Sequence, residues 1–210
     1  NEQRDMSIDD LVCSAWTPGE CEGTQHCPPR CPRFVDHEGT SWTIEPPRED
    51  DRATLAEMYD DFDPSQRAQG VPPIGDDRIA SWLDGLLDDG CNFIARSGEQ
   101  VVGHATYVAT DDPEPELAVF VHQDYQNRGL GTELCRHLIA TAAAANRRAL
   151  VLEVEPANQN AIAVYEKLGF ERVQKRTADD PLRRSRSFEM RLPLTDERAA
   201  STQRPPILGD

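Results

Sequence analysis

Lysine is almost missing from this chain: Lys167 and Lys175 are the only two in 210 residues, so nearly all of the 22 basic side chains are arginine. Set against 38 Asp and Glu, they leave a net charge of −16. A surface of that sign repels a phosphodiester backbone, so binding to bare nucleic acid is excluded. Long apolar runs are missing as well. None approaches the ~18–20 residues of a membrane helix, and no basic-then-apolar leader opens the chain, so a cytoplasmic protein without a membrane partner is expected. The acids are spread throughout, with Asp doublets from Asp9-Asp10 to Asp179-Asp180. Lysine depletion with scattered Asp reads as a protein of a salt-in halophile, in which molar salt screens the self-repulsion. The competing reading is an acidic face for a cationic partner.

What is present is concentrated in two segments. Gln126-Asn127-Arg128-Gly129-Leu130-Gly131-Thr132 lies between a strand-like run, Glu116 to His122, and a helical one, Thr132 to Ala145. A glycine turn entering a helix gathers unpaired backbone N–H groups at the positive end of the helix dipole, which suits an anion. A dinucleotide fingerprint would want a further glycine where Leu134 stands, and a phosphate-loop NTPase would need Gly-Lys-Ser/Thr; both are absent. About thirty residues on stands Asn158-Gln159-Asn160-Ala161-Ile162-Ala163-Val164-Tyr165-Glu166-Lys167-Leu168-Gly169-Phe170. Its Ala161, Val164, Tyr165 and Leu168 also fit the buried stripe of an ordinary helix.

In this order and spacing the two segments resemble the GNAT superfamily of acetyl-CoA-dependent N-acetyltransferases. The resemblance covers roughly residues 43–194 and implies an α/β fold with a mixed, mostly antiparallel central sheet flanked by helices. The pattern along the chain agrees with that order of elements. Thr43 to Pro46 reads as the first strand. A helix capped at Asp50 or Asp51 buries Leu55, Met58, Tyr59 and Phe62, and a second buries Ile79, Trp82, Leu83, Leu86 and Leu87. Strands follow at 92–96, 100–108, 116–122, 149–154, 170–176 and 187–192, with helices from Thr132 and over 158–168. Residues 195–210 are polar and read as a flexible tail.

The resemblance also assigns roles. Gln126, Asn127, Arg128, Gly129, Leu130, Gly131 and Thr132 would hold the pyrophosphate of acetyl-CoA, with Arg128 adding a charged contact. Val119, Phe120 and Val121 would pair their main chain with the pantetheine arm, and Asn158 would touch or shape the same site. Tyr165 matches the family's general acid, and a hydroxyl with an ordinary pKa near 10 suits protonation of a leaving thiolate. Glu116 is the leading general base, with Glu153 and Glu155 as alternatives; many relatives use water alone. His122 and His104 read as structural. The acceptor is an amine on a small molecule or a protein, and a homodimer fits the family. The alternatives are a catalytically quiet acyl-CoA-binding regulator, or an adaptor that uses the fold only as a scaffold.

The first 42 residues stand apart. They hold four of the six cysteines, Cys13, Cys21, Cys27 and Cys31, in a Pro-rich setting without helical or strand period. Four thiolates this close can wrap one tetrahedral zinc, and a segment lacking an apolar core gains most from such a staple. Disulfides are disfavoured in a reducing compartment, and flexible free thiols are the remaining reading. Cys91 and Cys135 read as buried singletons.

Overall fold

The computed structural model describes residues 27–63, 65, 71–173 and 187–202. The elements run β1 (Arg33–Val35), β2 (Ser41–Glu45), α1 (Asp51–Asp60), α2 (Asp76–Asp89), β3 (Cys91–Ser97), β4 (Gln100–Val108) and β5 (Glu116–Val121). They continue with a 3-10 turn at Gln123–Tyr125, then α3 (Leu130–Ala144), β6 (Ala149–Val154), α4 (Gln159–Leu168), β7 (Glu171–Arg172), β8 (Phe188–Pro193) and α5 (Asp196–Thr202). The strands form one sheet in the order β1-β2-β3-β4-β5-β6-β8-β7. Every neighbouring pair is antiparallel except β5 and β6.

Each face of the sheet is covered by the helices whose apolar stripes fit it. On one face Leu130, Leu134, Leu138 and Ile139 of α3 and Ile162 and Tyr165 of α4 pack on Leu150, Leu152, Met190 and Leu192. On the other, Leu55, Met58, Tyr59 and Phe62 from α1 and its exit join Ile79 and Leu83 of α2 over Ile94 and Val101. Inside this second layer the Tyr59 hydroxyl donates to His104 Nδ1 at 2.6 Å, and His104 Nε2–H donates to Asn92 Oδ1 at 2.9 Å. Asn92 Nδ2 in turn donates to the Leu86 and Gly90 carbonyls. The chain of donors is complete with a neutral imidazole, and burial lowers the His104 pKa to about 4. His104 is therefore structural, as its place in a strand suggests. Among the described residues no helix is long and apolar enough to cross a membrane.

Three expectations change. The sheet begins at Arg33, inside the segment read as an appendage, and Trp42 is only 4% exposed. A three-residue strand among prolines carries too little period to be seen in sequence. The helix expected from Thr132 starts at Leu130, because Gly129 with φ of 93° forms its N-cap. The expected flexible tail is helical as far as Thr202: the Arg198 guanidinium donates to the Leu168 carbonyl at 2.9 Å, and Arg30 donates to the Thr202 carbonyl at 2.8 Å. Cys13 and Cys21 lie outside the described residues, as does most of the connection between β7 and β8.

Leu138, fully buried between α3 and the sheet, is a direct test of that layer. Leu138→Ala should cost about 2–5 kcal/mol of unfolding free energy, measured as a shift in denaturation midpoint at unchanged slope.

Candidate active site

The site arises where two strands part. β5 and β6 run parallel but share a single register pair, Glu116 with Val151, whereas β6 pairs with β8 along its whole length. From Leu117 to Val121, β5 has no register partner in β6. The gap opens into a cleft of about 530 Å³. Its walls are β5, the segment following β6, the start of α3 and the inner face of α4, with Phe62 and Val71 from the connection between α1 and α2 closing one side. The main chain of Val119, Phe120 and Val121 thus borders an open gap, the arrangement an extended amide-bearing arm requires.

At one end of the gap the chain turns into α3. Asn127 has φ of 61° and Gly129 φ of 93°, so the loop is left-handed on both sides of Arg128. The Gln126 side-chain amide donates to the Val121 carbonyl at 3.1 Å, which ties the loop to the end of β5. The first helical bond recorded there runs from Glu133 N–H to the Gly129 carbonyl at 3.1 Å. The N–H groups of Leu130, Gly131 and Thr132 therefore have no acceptor within the helix, and these three residues line the cleft. With the helix dipole behind them they form an anion site. Of the two glycines in this turn, only Gly129 is required as glycine by its own surroundings. A Cβ there would stand 3.2 Å from the Phe34 ring and 3.3 Å from His37, whereas at Gly131 it would make an ordinary 3.6 Å contact with Val121.

Arg128 departs from its expected role. It does not line the cleft. Its guanidinium binds the Asp36 carboxylate through Nε at 2.8 Å and Nη2 at 2.7 Å, and Nη2 also donates to Thr40 Oγ1 at 2.7 Å. The charge expected to reach a phosphate is neutralised by a buried acid that sequence spacing could not place beside it.

Tyr165 on α4 also lines the cleft while only 7% exposed. Burial, reinforced by the nearby Cys135 thiol, pushes its pKa above the ordinary value of 10, so the hydroxyl keeps its proton at all ordinary pH. Asn158 opens α4: its side-chain oxygen accepts from the Ala161 N–H at 3.2 Å, and it too lines the cleft. Glu116 sits at the fork of the strands, with Glu153 and Glu155 along the same rim. Ser187 donates to Glu153 at 2.8 Å. His122 stays out of the cleft, capping the 3-10 turn and contacting Asp61 at 3.1 Å. Sequence reasoning missed Phe62 and Val71 as cleft residues. Phe62 was absorbed by the helical stripe of α1, and Val71, flanked by Gly70 and Pro72, belonged to a stretch read only as loop.

Among the described residues no group of three His, Cys, Asp or Glu side chains is arranged to hold a metal. Of the proposed zinc ligands only Cys27 and Cys31 are described, both half-buried.

Residues 55–170, just over half of the chain, match the acetyltransferase (GNAT) family. The chain belongs to this family. Among curated relatives, the [ribosomal protein bS18]-alanine N-acetyltransferase of Escherichia coli is 38% identical over 80 residues, which is 38% of this chain and 53% of that protein. The chain spans about half the length, or less, of the curated relatives it matches. In three dimensions the GNAT domain of Streptomyces lividans PAT superposes with a TM-score of 0.64 at 20% identity, covering 77% of this chain and 96% of that one. A Salmonella typhimurium protein solved with its cofactor acetyl-CoA gives a TM-score of 0.60 at 21% identity, over 75% of this chain and 96% of that one. Likeness at these identities establishes the α/β GNAT fold.

Gly129→Ala puts a side chain on a left-handed residue, which costs about 1–2 kcal/mol before any contact with Phe34 is counted. Acetyl-CoA affinity, measured by calorimetry, should fall roughly tenfold or more; unchanged affinity would remove the loop from the anion site.

Proposed function

We propose that the protein is an acetyl-CoA-dependent N-acetyltransferase that passes the acetyl group directly to a primary amine. The observation that supports this reading most is the single-pair fork of β5 and β6, whose cleft is lined both by the turn that opens α3 and by Tyr165. In this reading Leu130, Gly131 and Thr132 receive the pyrophosphate on their N–H groups. The exposed main chain of β5 pairs with the pantetheine amides. The thioester carbon then lies near the fork, between Glu116 and Tyr165.

The chemistry follows from those positions. The amine nitrogen attacks the thioester carbonyl carbon, the carbon–sulfur bond breaks, and the thiolate takes a proton from the Tyr165 hydroxyl. The amine loses its proton to Glu116 or to water on the acidic rim. Glu116, Glu153 and Glu155 line the cleft together with Phe62 and Val71, so carboxylate oxygens stand where an approaching amine can give up a proton. Both proteins and small molecules carry such amines, and the rim chemistry suits either. Tyr165→Phe should lower kcat at least tenfold with little change in acetyl-CoA affinity. The assay is coenzyme A release against a panel of lysine peptides, N-terminal peptides, polyamines and aminoglycosides in molar salt. Binding of acetyl-CoA without turnover on any of them would favour an acyl-CoA-binding regulator instead.

Composition supports two further parts of this reading. Lysine depletion and dispersed Asp suit a cytoplasm of high salt. Cys13, Cys21, Cys27 and Cys31 suit one zinc that is structural rather than catalytic, since four protein ligands leave it no open position. Elemental analysis of protein purified without added metal should find about one zinc per chain, and four freely titrating thiols without zinc would rule the site out.

A further inference from the structure

We propose that Asp36, on the turn of the β1–β2 hairpin, is a positioning residue for the phosphate loop. It fixes Arg128, and through it the Asn127 to Gly129 backbone, in the shape that receives the pyrophosphate. The inference rests on the loop's proposed role in acetyl-CoA binding, but the hairpin precedes the stretch that matches the family and adds a part of its own.

The Asp36 carboxylate is saturated. Its side chain is 0% exposed. Oδ1 accepts the N–H groups of Glu38 and Thr40, each at 2.9 Å. Oδ2 accepts Trp42 Nε1 at 2.7 Å and the two Arg128 donors at 2.7 and 2.8 Å. Arg128 is held on its faces as well, with its guanidinium carbon 5.4 Å from the Trp42 ring centre and 5.6 Å from that of Tyr125. The main chain repeats the connection, since His37 N–H donates to the Arg128 carbonyl at 3.3 Å. One residue further on, Gly129 lies so close to Phe34 and His37 that a Cβ would crowd them.

This is more than a fold contact because of where it acts. The residues on both sides of Arg128 are left-handed, Asn127 and Gly129. Asn and Gly both tolerate that conformation but do not require it, so local preference does not hold the loop in this one shape. An outside grip must select it, and the hairpin supplies one on the residue between. A loop released from that grip would populate other shapes, and only the competent fraction would bind, weakening the observed affinity in proportion.

The test is calorimetric titration of coenzyme A and acetyl-CoA into the full chain and its variants Asp36→Asn, Arg128→Gln and the double variant, with melting midpoints recorded alongside. Each single change should weaken cofactor binding roughly tenfold, and the double variant should be no worse than the weaker single, since both break one connection. In turnover, the KM for acetyl-CoA should rise while the KM for the acceptor stays put. A fold contact alone would lower the melting midpoint and leave cofactor affinity unchanged, and that result overturns the proposal, as do multiplicative losses in the double variant. If Asp36→Asn does not fold, Thr40→Val removes one partner of Arg128 and keeps the carboxylate. It should weaken binding about threefold, and wild-type affinity there also overturns the proposal. Failure of the wild-type chain to bind coenzyme A would sink the acetyl-CoA reading and this inference with it, whereas wild-type binding with unaltered variants sinks only the positioning role.

Discussion

The site exists because β5 and β6 share one register pair and then separate. Parallel neighbours in a sheet normally continue to exchange hydrogen bonds, and leaving the edge of β5 unpaired costs the strand part of its ladder. The rest of the fold compensates for that loss. β4 holds β5 by its other edge over the full length, from Val108 with Glu116 to Gly103 with Val121. β8 anchors β6 from Ala149 to Val154. Helix α3 lies beneath β4 and β5 with its Leu134 and Leu138 fully buried, so the sheet stays one body although it is open in the middle. An edge that is open in a rigid frame offers an extended ligand main-chain donors and acceptors without a reorganisation cost.

How much of this the sequence reveals depends on the range of the signal. The elements around the site are local and strongly patterned: Ala149–Val154 is read to the residue, and Asn158 and Gly169 mark the two ends of α4 by their capping chemistry. The glycine turn into α3 and Tyr165, which both line the cleft, are legible because a spacing of residues encodes each of them. What is hidden is contact between distant segments. Asp36 and Arg128 are 92 positions apart, and nothing in either neighbourhood announces the other. The same holds for Arg30 with Glu133 and for Phe62 in the wall of the cleft. Short elements are hidden for a different reason: β1 has three residues and β7 two, too few for any alternation to be distinguished from chance.

Arginine rather than lysine makes these distant contacts, and the geometry says why. Arg191 grips Glu114 with Nε and Nη2 at 2.8 and 2.9 Å. Arg96 reaches both Glu45 and Asp51, each nearly buried. Arg30 places Nε and Nη2 on the two oxygens of Glu133. A planar fork satisfies two acceptors at once, which a lysine ammonium on a flexible stem does not do in a fixed plane. The scarcity of lysine, read from composition as adaptation to salt, therefore has a structural side among the described residues: buried acids are met by forks.

That pairing bears on the proposed phosphate site in an unexpected way. Two buried carboxylates flank the loop, Asp36 before it and Glu133 in the first turn of α3, and each would repel a pyrophosphate if left bare. For Glu133, burial would raise the pKa, but the hydrogen bond from Arg30 and the charges of Arg30, His137 and Arg136 outweigh it, and the net shift is downward. For Asp36 the balance is similar: burial is opposed by the Trp42, Thr40 and Glu38 donors and by Arg128, and the carboxyl again lies below its ordinary value. Both acids thus stay ionised and both are neutralised in place by an arginine. With both carboxylates paired, an anion at the mouth of α3 meets the N–H groups of Leu130, Gly131 and Thr132 and the helix dipole behind them. In the proposed acetyl-CoA reading Arg128 acts by cancelling an acid and shaping the backbone, so in a chain of −16 net charge an anion site would rest on local neutralisation rather than on a basic patch.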